Sequence, residues 1–85
     1  MVGTTGTVRV RFFARYADVI GRDETALAVA LPATVGDVVR RVRELPGGHE
    51  IPERPLAAVN LTHVRLDAPV QDGDEVALLP PLAGG

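Results

Sequence analysis

Polar and apolar residues alternate over Thr7-Val8-Arg9-Val10-Arg11-Phe12. A period of two predicts a half-buried strand with Val8, Val10 and Phe12 turned to a core. Phe13 has the opposite parity, so a strand continued through it would present that ring on the other face. Ala14 to Ile20 reads as a short helical turn, ended by Gly21. From Glu24 the alternation resumes, with Leu27, Val29 and Leu31 on one side. The two strands therefore predict a hairpin with a structured loop.

The period then changes. Pro32-Ala33 breaks the second strand, and Thr34-Val35-Gly36-Asp37 has the form of a helix start, with Thr34 as N-cap and an acid three residues on. Val35, Val38, Val39, Val42 and Leu45 recur at helical spacing and make one apolar stripe, with Arg40, Arg41 and Arg43 off it. Valine is a mediocre helix former, so packing must hold this helix. Pro46-Gly47-Gly48 ends it, and His49 to Pro55 reads as a polar loop. Leu56 to Asn60 is a short apolar strand, Leu61 to Leu66 a connection or brief strand, and Asp72-Gly73-Asp74 a turn. Glu75 to Leu79 is the last strand, with Val76 and Leu78 inward and Leu79 outward.

One amphipathic helix among four or five strands implies an α+β domain, a mixed sheet with the helix on one face. The other face is left for water or a partner. Parity puts Phe13 and Leu79 there, beside the start of the C-terminal segment, as a candidate docking surface. Residues 7–79 make the expected domain. Residues 1–6, rich in Gly and Thr, are expected to be disordered, and residues 80–85 to form an extended tail.

Composition narrows the chemistry. With 85 residues the chain has room for one small domain. It has no apolar run long enough to span a membrane and no signal-peptide pattern, so a cytoplasmic location is expected. It contains no cysteine, which excludes disulfides and thiolate chemistry, and all nine basic residues are arginine, which excludes a lysine nucleophile. The net charge of −2 gathers no basic patch suited to nucleic acid. His49 and His63 lie in different segments without metal-ligand spacing, and no phosphate loop is present. The residues point to a carrier or subunit rather than a self-sufficient enzyme.

What remains is Pro80-Pro81-Leu82-Ala83-Gly84-Gly85. The prolines disfavour helix and ladder, and the glycines leave a slim chain ending in a bare carboxylate. Six extended residues reach about 20 Å, enough to enter another protein's active site. The alternative is an ordinary frayed terminus.

Val8 to Ala14, Ala33 to Asp37, Leu56 to Asn60, then Val64, Asp67, Pro69, Asp72 to Ala77, Pro80-Pro81 and Gly84-Gly85 together resemble the MoaD family, the small sulfur-carrier subunits of molybdopterin synthase. The related ThiS-type carriers share the Gly-Gly end. The resemblance implies a ubiquitin-like β-grasp fold. It implies that the Gly85 carboxylate is adenylated by a MoeB-like partner using ATP, converted to a thiocarboxylate, and inserted into a MoaE-like large subunit, where sulfur passes to a cyclic pyranopterin precursor. Gly84 would let the tail thread a narrow channel. Phe13, His63, Leu79, Pro80, Pro81 and Leu82 would face the partner, with Arg15 a weaker candidate, in a heterotetramer with the large subunit. No stably bound cofactor is implied. Other carriers of the ThiS type, a ubiquitin-like tag, or a binding module with an inert tail fit the same fold.

Overall fold

The computed structural model describes residues 3–81; Leu82, Gly84 and Gly85, like Met1 and Val2, lie outside them. Strand β1 (Thr4–Phe12) leads through the short helix α1 (Arg15–Ile20) to β2 (Glu24–Leu31). After β3 (Ala33–Thr34) comes the main helix α2 (Val35–Arg43), then a 3-10 turn at Gly48–Glu50. Strands β4 (Leu56–Val59), β5 (Thr62–Val64), β6 (Pro69–Val70) and β7 (Glu75–Leu79) complete the chain. Five strands form one mixed sheet in the order β2-β1-β7-β4-β5. The central pair β1/β7 is parallel, and the other pairs are antiparallel.

The alternation seen in sequence is the division between the sheet's two faces. Val8, Val10, Phe12, Leu27, Val29, Ala57, Val76 and Leu78 are buried on the inner face. There they share a core with Val35, Val38, Val39 and Val42 of α2. Helix α2 begins in a reciprocal cap. The Asp37 backbone N–H donates to Thr34 Oγ1 at 3.2 Å, and the Thr34 N–H donates to Asp37 Oδ2 at 2.9 Å.

The N-terminal boundary needs correction. Thr4 to Gly6 belong to β1, paired with Leu31, Ala30 and Val29, so the strand starts three residues before Thr7. Threonines suit a pleated edge of this kind, and Gly6 fits because Leu31 packs over it: a Cβ there would come within 2.6 Å of a Leu31 methyl.

Other parts carried no periodic signal. Strands β3 and β6 pair as a separate two-stranded sheet that buries Ala33 and Val70. Ile51, inside the expected polar loop, is fully buried, and Arg43 Nε donates to its carbonyl at 2.7 Å. Gly47, at φ +83°, permits this turn to press on α1, where a Cβ would lie 1.9 Å from Val19 O. Tyr16 of α1 is 1% exposed in the same core.

Candidate functional site

The parallel pairing of β1 and β7 brings the C-terminal ends of both strands together. Phe12 lies opposite Leu78, so Phe13 emerges beside Leu79 at the point where the chain leaves the sheet. Leu79 in turn faces Leu56 on β4. Phe13, 37% exposed, and Leu56, 47% exposed, thus flank the half-buried Leu79 and Pro80, and Pro81 beyond them is exposed.

β1 ends at Phe12, so Phe13 lies just beyond the strand; Ala14 adopts φ +53° and turns the chain into α1. The ring nevertheless stays with the outer face, because the Arg11 guanidinium sits 5.3 Å from its centroid. Arg11 also pairs with Glu75 at 3.2 Å. An ion pair and a cation–π contact thereby fix the orientation of a surface arginine beside the tail root.

One step along the sheet, Arg11 is in register with Ala77, Ala77 with Ala58, and Ala58 with His63. Arg11 and His63 therefore stand at the two ends of a row floored by two alanines, about 14 Å apart at the usual strand spacing. Ala58 is buried yet stands outside the main core, as expected for the floor of a shallow trough. His63 is exposed. The structure thus gathers Phe13, Leu79, Pro80 and Pro81, sets His63 at the margin of the same face, and leaves Arg15 exposed on α1, 5.9 Å from the Tyr16 ring. Leu56 is the member that sequence reading missed; its strand is apolar throughout and shows no alternation, and only the β4/β7 register places it beside Leu79.

The helix side of the molecule offers a different kind of recess. A cleft of about 560 Å³ is lined by Thr34, Gly36, Val39 and Arg40 of the α2 region together with Glu53 and Asp67, and by no residue of β1 or β7. The helix end and two of its three lining arginines, Arg54 being the third, are already engaged. The first N–H groups of α2 are already taken, Val35 by Ala68 O and Gly36 by Leu66 O. Arg40 is paired with Asp37, and Arg43 lies 3.6 Å from Glu53. Among the described residues no group of three or more His, Cys, Asp or Glu is placed to hold a metal ion. No described helix is long and apolar enough to cross a membrane.

The apolar cluster of Phe13, Leu56 and Leu79 thus stands where the described chain ends at Pro80-Pro81. Comparison with known proteins identifies the family. The molybdopterin synthase sulfur carrier subunit of Escherichia coli is 36% identical over 85 residues, covering 92% of this chain and 99% of the relative. Small archaeal modifier protein 3 of Haloferax volcanii is 32% identical over 90 residues, covering 92% and 98%. Among solved structures, the complex of subunits 1 and 2 of molybdopterin-converting factor from Helicobacter pylori includes a similar chain, with a TM-score of 0.67, 28% identity, and coverage of 93% of this chain and 99% of that one. The sheet order and single main helix are those of the ubiquitin-like β-grasp fold. With the ThiS family model matching residues 10–85, from the middle of β1 to the last glycine of the tail, the chain belongs to the ThiS family.

Proposed function

We propose that this chain is the sulfur-carrier subunit of a molybdopterin synthase, and that the Gly85 carboxylate is the group that carries the sulfur. The observation that supports it most is the 36% identity to the Escherichia coli sulfur carrier subunit over nearly the whole length of both chains. A carboxylate is a poor acyl donor. In this reading a Gly85 oxygen attacks the α-phosphorus of ATP on an adenylyltransferase partner, and pyrophosphate leaves. A sulfur nucleophile then displaces AMP and yields a thiocarboxylate. The tail enters the large subunit, where the thiocarboxylate sulfur bonds to the pyranopterin precursor and water then cleaves the acyl C–S bond, leaving sulfur on the precursor and Gly85 as a carboxylate. The absence of cysteine is no obstacle, because the sulfur rides on the terminus. The Phe13, Leu56 and Leu79 patch is the surface on which the large subunit would seat, and the Helicobacter pylori complex supports a two-subunit assembly. ATP belongs to the activating partner, and this chain needs no resident cofactor.

Replacing one oxygen by sulfur adds about 16 Da, a covalent change that intact mass reads directly. Incubation with an adenylyltransferase, ATP and a sulfur donor is expected to produce that increment, and removal of Gly84-Gly85 to abolish it. A mass that does not change overturns the reading.

The identity to an archaeal modifier protein favours one second reading, attachment of Gly85 to amines of other proteins. The chain has no lysine, so it offers no side-chain amine for self-conjugation. Conjugates on lysines of other proteins, appearing in place of sulfur transfer to a pterin, would select this reading.

A further inference from the structure

The hydrogen-bond parity of the sheet reveals what the β2 edge presents. On β1 the Arg9 N–H donates to Asp74 O at 2.9 Å, and the Thr7 carbonyl accepts from the Gly73 N–H at 2.7 Å. Odd-numbered residues of β1 therefore turn their backbone groups toward β7. Even-numbered ones face β2, as the 2.8 Å bond from the Phe12 N–H to Asp23 O requires. Through the pairs Gly6/Val29, Val8/Leu27 and Val10/Thr25, the odd-numbered residues of β2 spend their N–H and C=O groups on β1. Glu24, Ala26, Ala28 and Ala30 are left with theirs directed away from the sheet. One of these groups is occupied: Arg41 Nη1 of α2 donates to Ala28 O at 2.8 Å.

This edge lacks the usual devices against strand addition. Glu24–Leu31 contains no proline, lysine or arginine. Its register with β1 runs one-to-one over eight pairs without a bulge. The side chains beside the free groups are Ala26, Ala28 and Ala30, all exposed and too short to screen a backbone. The opposite edge of the sheet, β5, has only three residues. Along the helix side of β2 runs a groove of about 410 Å³, lined by Val29, Ala30, Asp37, Arg40, Arg41 and Glu44.

We infer that the β2 edge accepts an extended segment of another protein as a sixth strand, and that this segment carries an acidic side chain opposite Arg41. An incoming strand places an N–H on Ala28 O, in competition with the Arg41 guanidinium already bonded there. Glu44 Oε1 lies 3.6 Å from Arg41 Nε, which leaves the freed Nη1 to water or to an acceptor carried by the incoming strand. A carboxylate on the incoming strand supplies it as a charge-assisted hydrogen bond. A second copy of this chain is the poorer occupant, because antiparallel pairing about Ala28 sets one Arg41 against the other. β1 separates this edge from β7, so the surface is distinct from the tail root, and the inference does not rest on the function proposed above.

The test uses the full chain, labelled for amide hydrogen exchange, and short blocked peptides of alternating Thr and Val with a central Glu or, as comparison, Gln. The Glu peptide is expected to slow exchange at Ala26, Ala28 and Ala30 at least about tenfold, leaving Leu27 and Val29, already bonded to β1, unchanged. The Gln peptide should bind about tenfold more weakly, the scale of one charged hydrogen bond. Arg41→Ala, on an exposed helix face, should erase that difference. The inference is overturned if the alanine amides do not slow, if the two peptides bind wild-type protein equally, or if slowing appears without peptide as protein concentration rises, which would make the occupant a second copy.

Discussion

Tyr16 is where residue-level chemistry leaves the clearest unresolved cost. Its side chain is 1% exposed, and among the described residues its hydroxyl has no hydrogen-bond partner. A hydroxyl removed from water without replacement costs about 1–3 kcal/mol. The ring fills the space between α1 and the sheet, so Tyr16→Phe keeps the packing and removes only the penalty. Thermal unfolding should show stabilisation of about 1 kcal/mol, a shift of several degrees for a domain this small. A loss of stability would mean that the hydroxyl is bonded in solution. Nothing in the local sequence marked Tyr16 as core: α1 is six residues long, too short for a periodic stripe to declare itself. Ile51 was hidden for a related reason, as a lone apolar residue in a polar segment that joins the core through tertiary packing, with Arg43 Nε donating to its carbonyl.

Among the elements, α2 was the most legible, since capping residues, valine spacing and breakers all agree there. Its cap also has a pH signature. The hydrogen bond from the Thr34 backbone N–H holds the Asp37 carboxyl below its usual range, with help from the Thr34 hydroxyl and Arg40, while partial burial opposes them. A folded-state pKa below the unfolded value adds stability above the ordinary carboxylate pKa, and that stability is lost as pH falls through the folded value. Thr34→Ala should cost about 1 kcal/mol. Asp37→Asn should cost less, because its side chain is 39% exposed and solvent screens the charge. Its deficit should close only as the pH falls past the ordinary carboxylate range and through the depressed folded value, where wild-type Asp37 also becomes neutral. Denaturant melts at neutral and acid pH check both; a deficit that persists unchanged in acid would assign the cap to shape alone. Strands β1, β2 and β7 were legible from alternation, whereas β3 and β6 were not, because two-residue strands exist only through their mutual pairing. The same holds for the site. Parity told which face Phe13 and Leu79 occupy, but their convergence with Leu56 depends on the parallel β1/β7 and antiparallel β4/β7 pairings, which no local pattern encodes.

At the scale of the whole molecule, the function proposed above separates docking from donation. The helix covers one face, the sheet offers the other, and the last strand ends at Pro80-Pro81 beside Phe13 and Leu56 on that open face. Two kinds of variant should therefore fail in different ways. Phe13 and Leu56 are exposed, and substitution of each by Glu removes no core contact. The double variant should keep a melting temperature near that of wild type, since exposed substitutions usually fall within about 0.5 kcal/mol. Its affinity for the large subunit should fall by tenfold or more, because a desolvated apolar anchor is worth upward of about 1–2 kcal/mol. Deleting Gly84-Gly85 should do the reverse at the chemical step: the chain still competes for the large subunit through its sheet face, yet transfers no sulfur. Competition binding against wild type, read beside product formation, separates the two. If the Glu variants bind undiminished, the tail alone carries recognition and the apolar face is not the dock. If the deletion variant no longer competes at all, the tail supplies the affinity as well as the chemistry, and the division of labour between sheet and terminus is wrong.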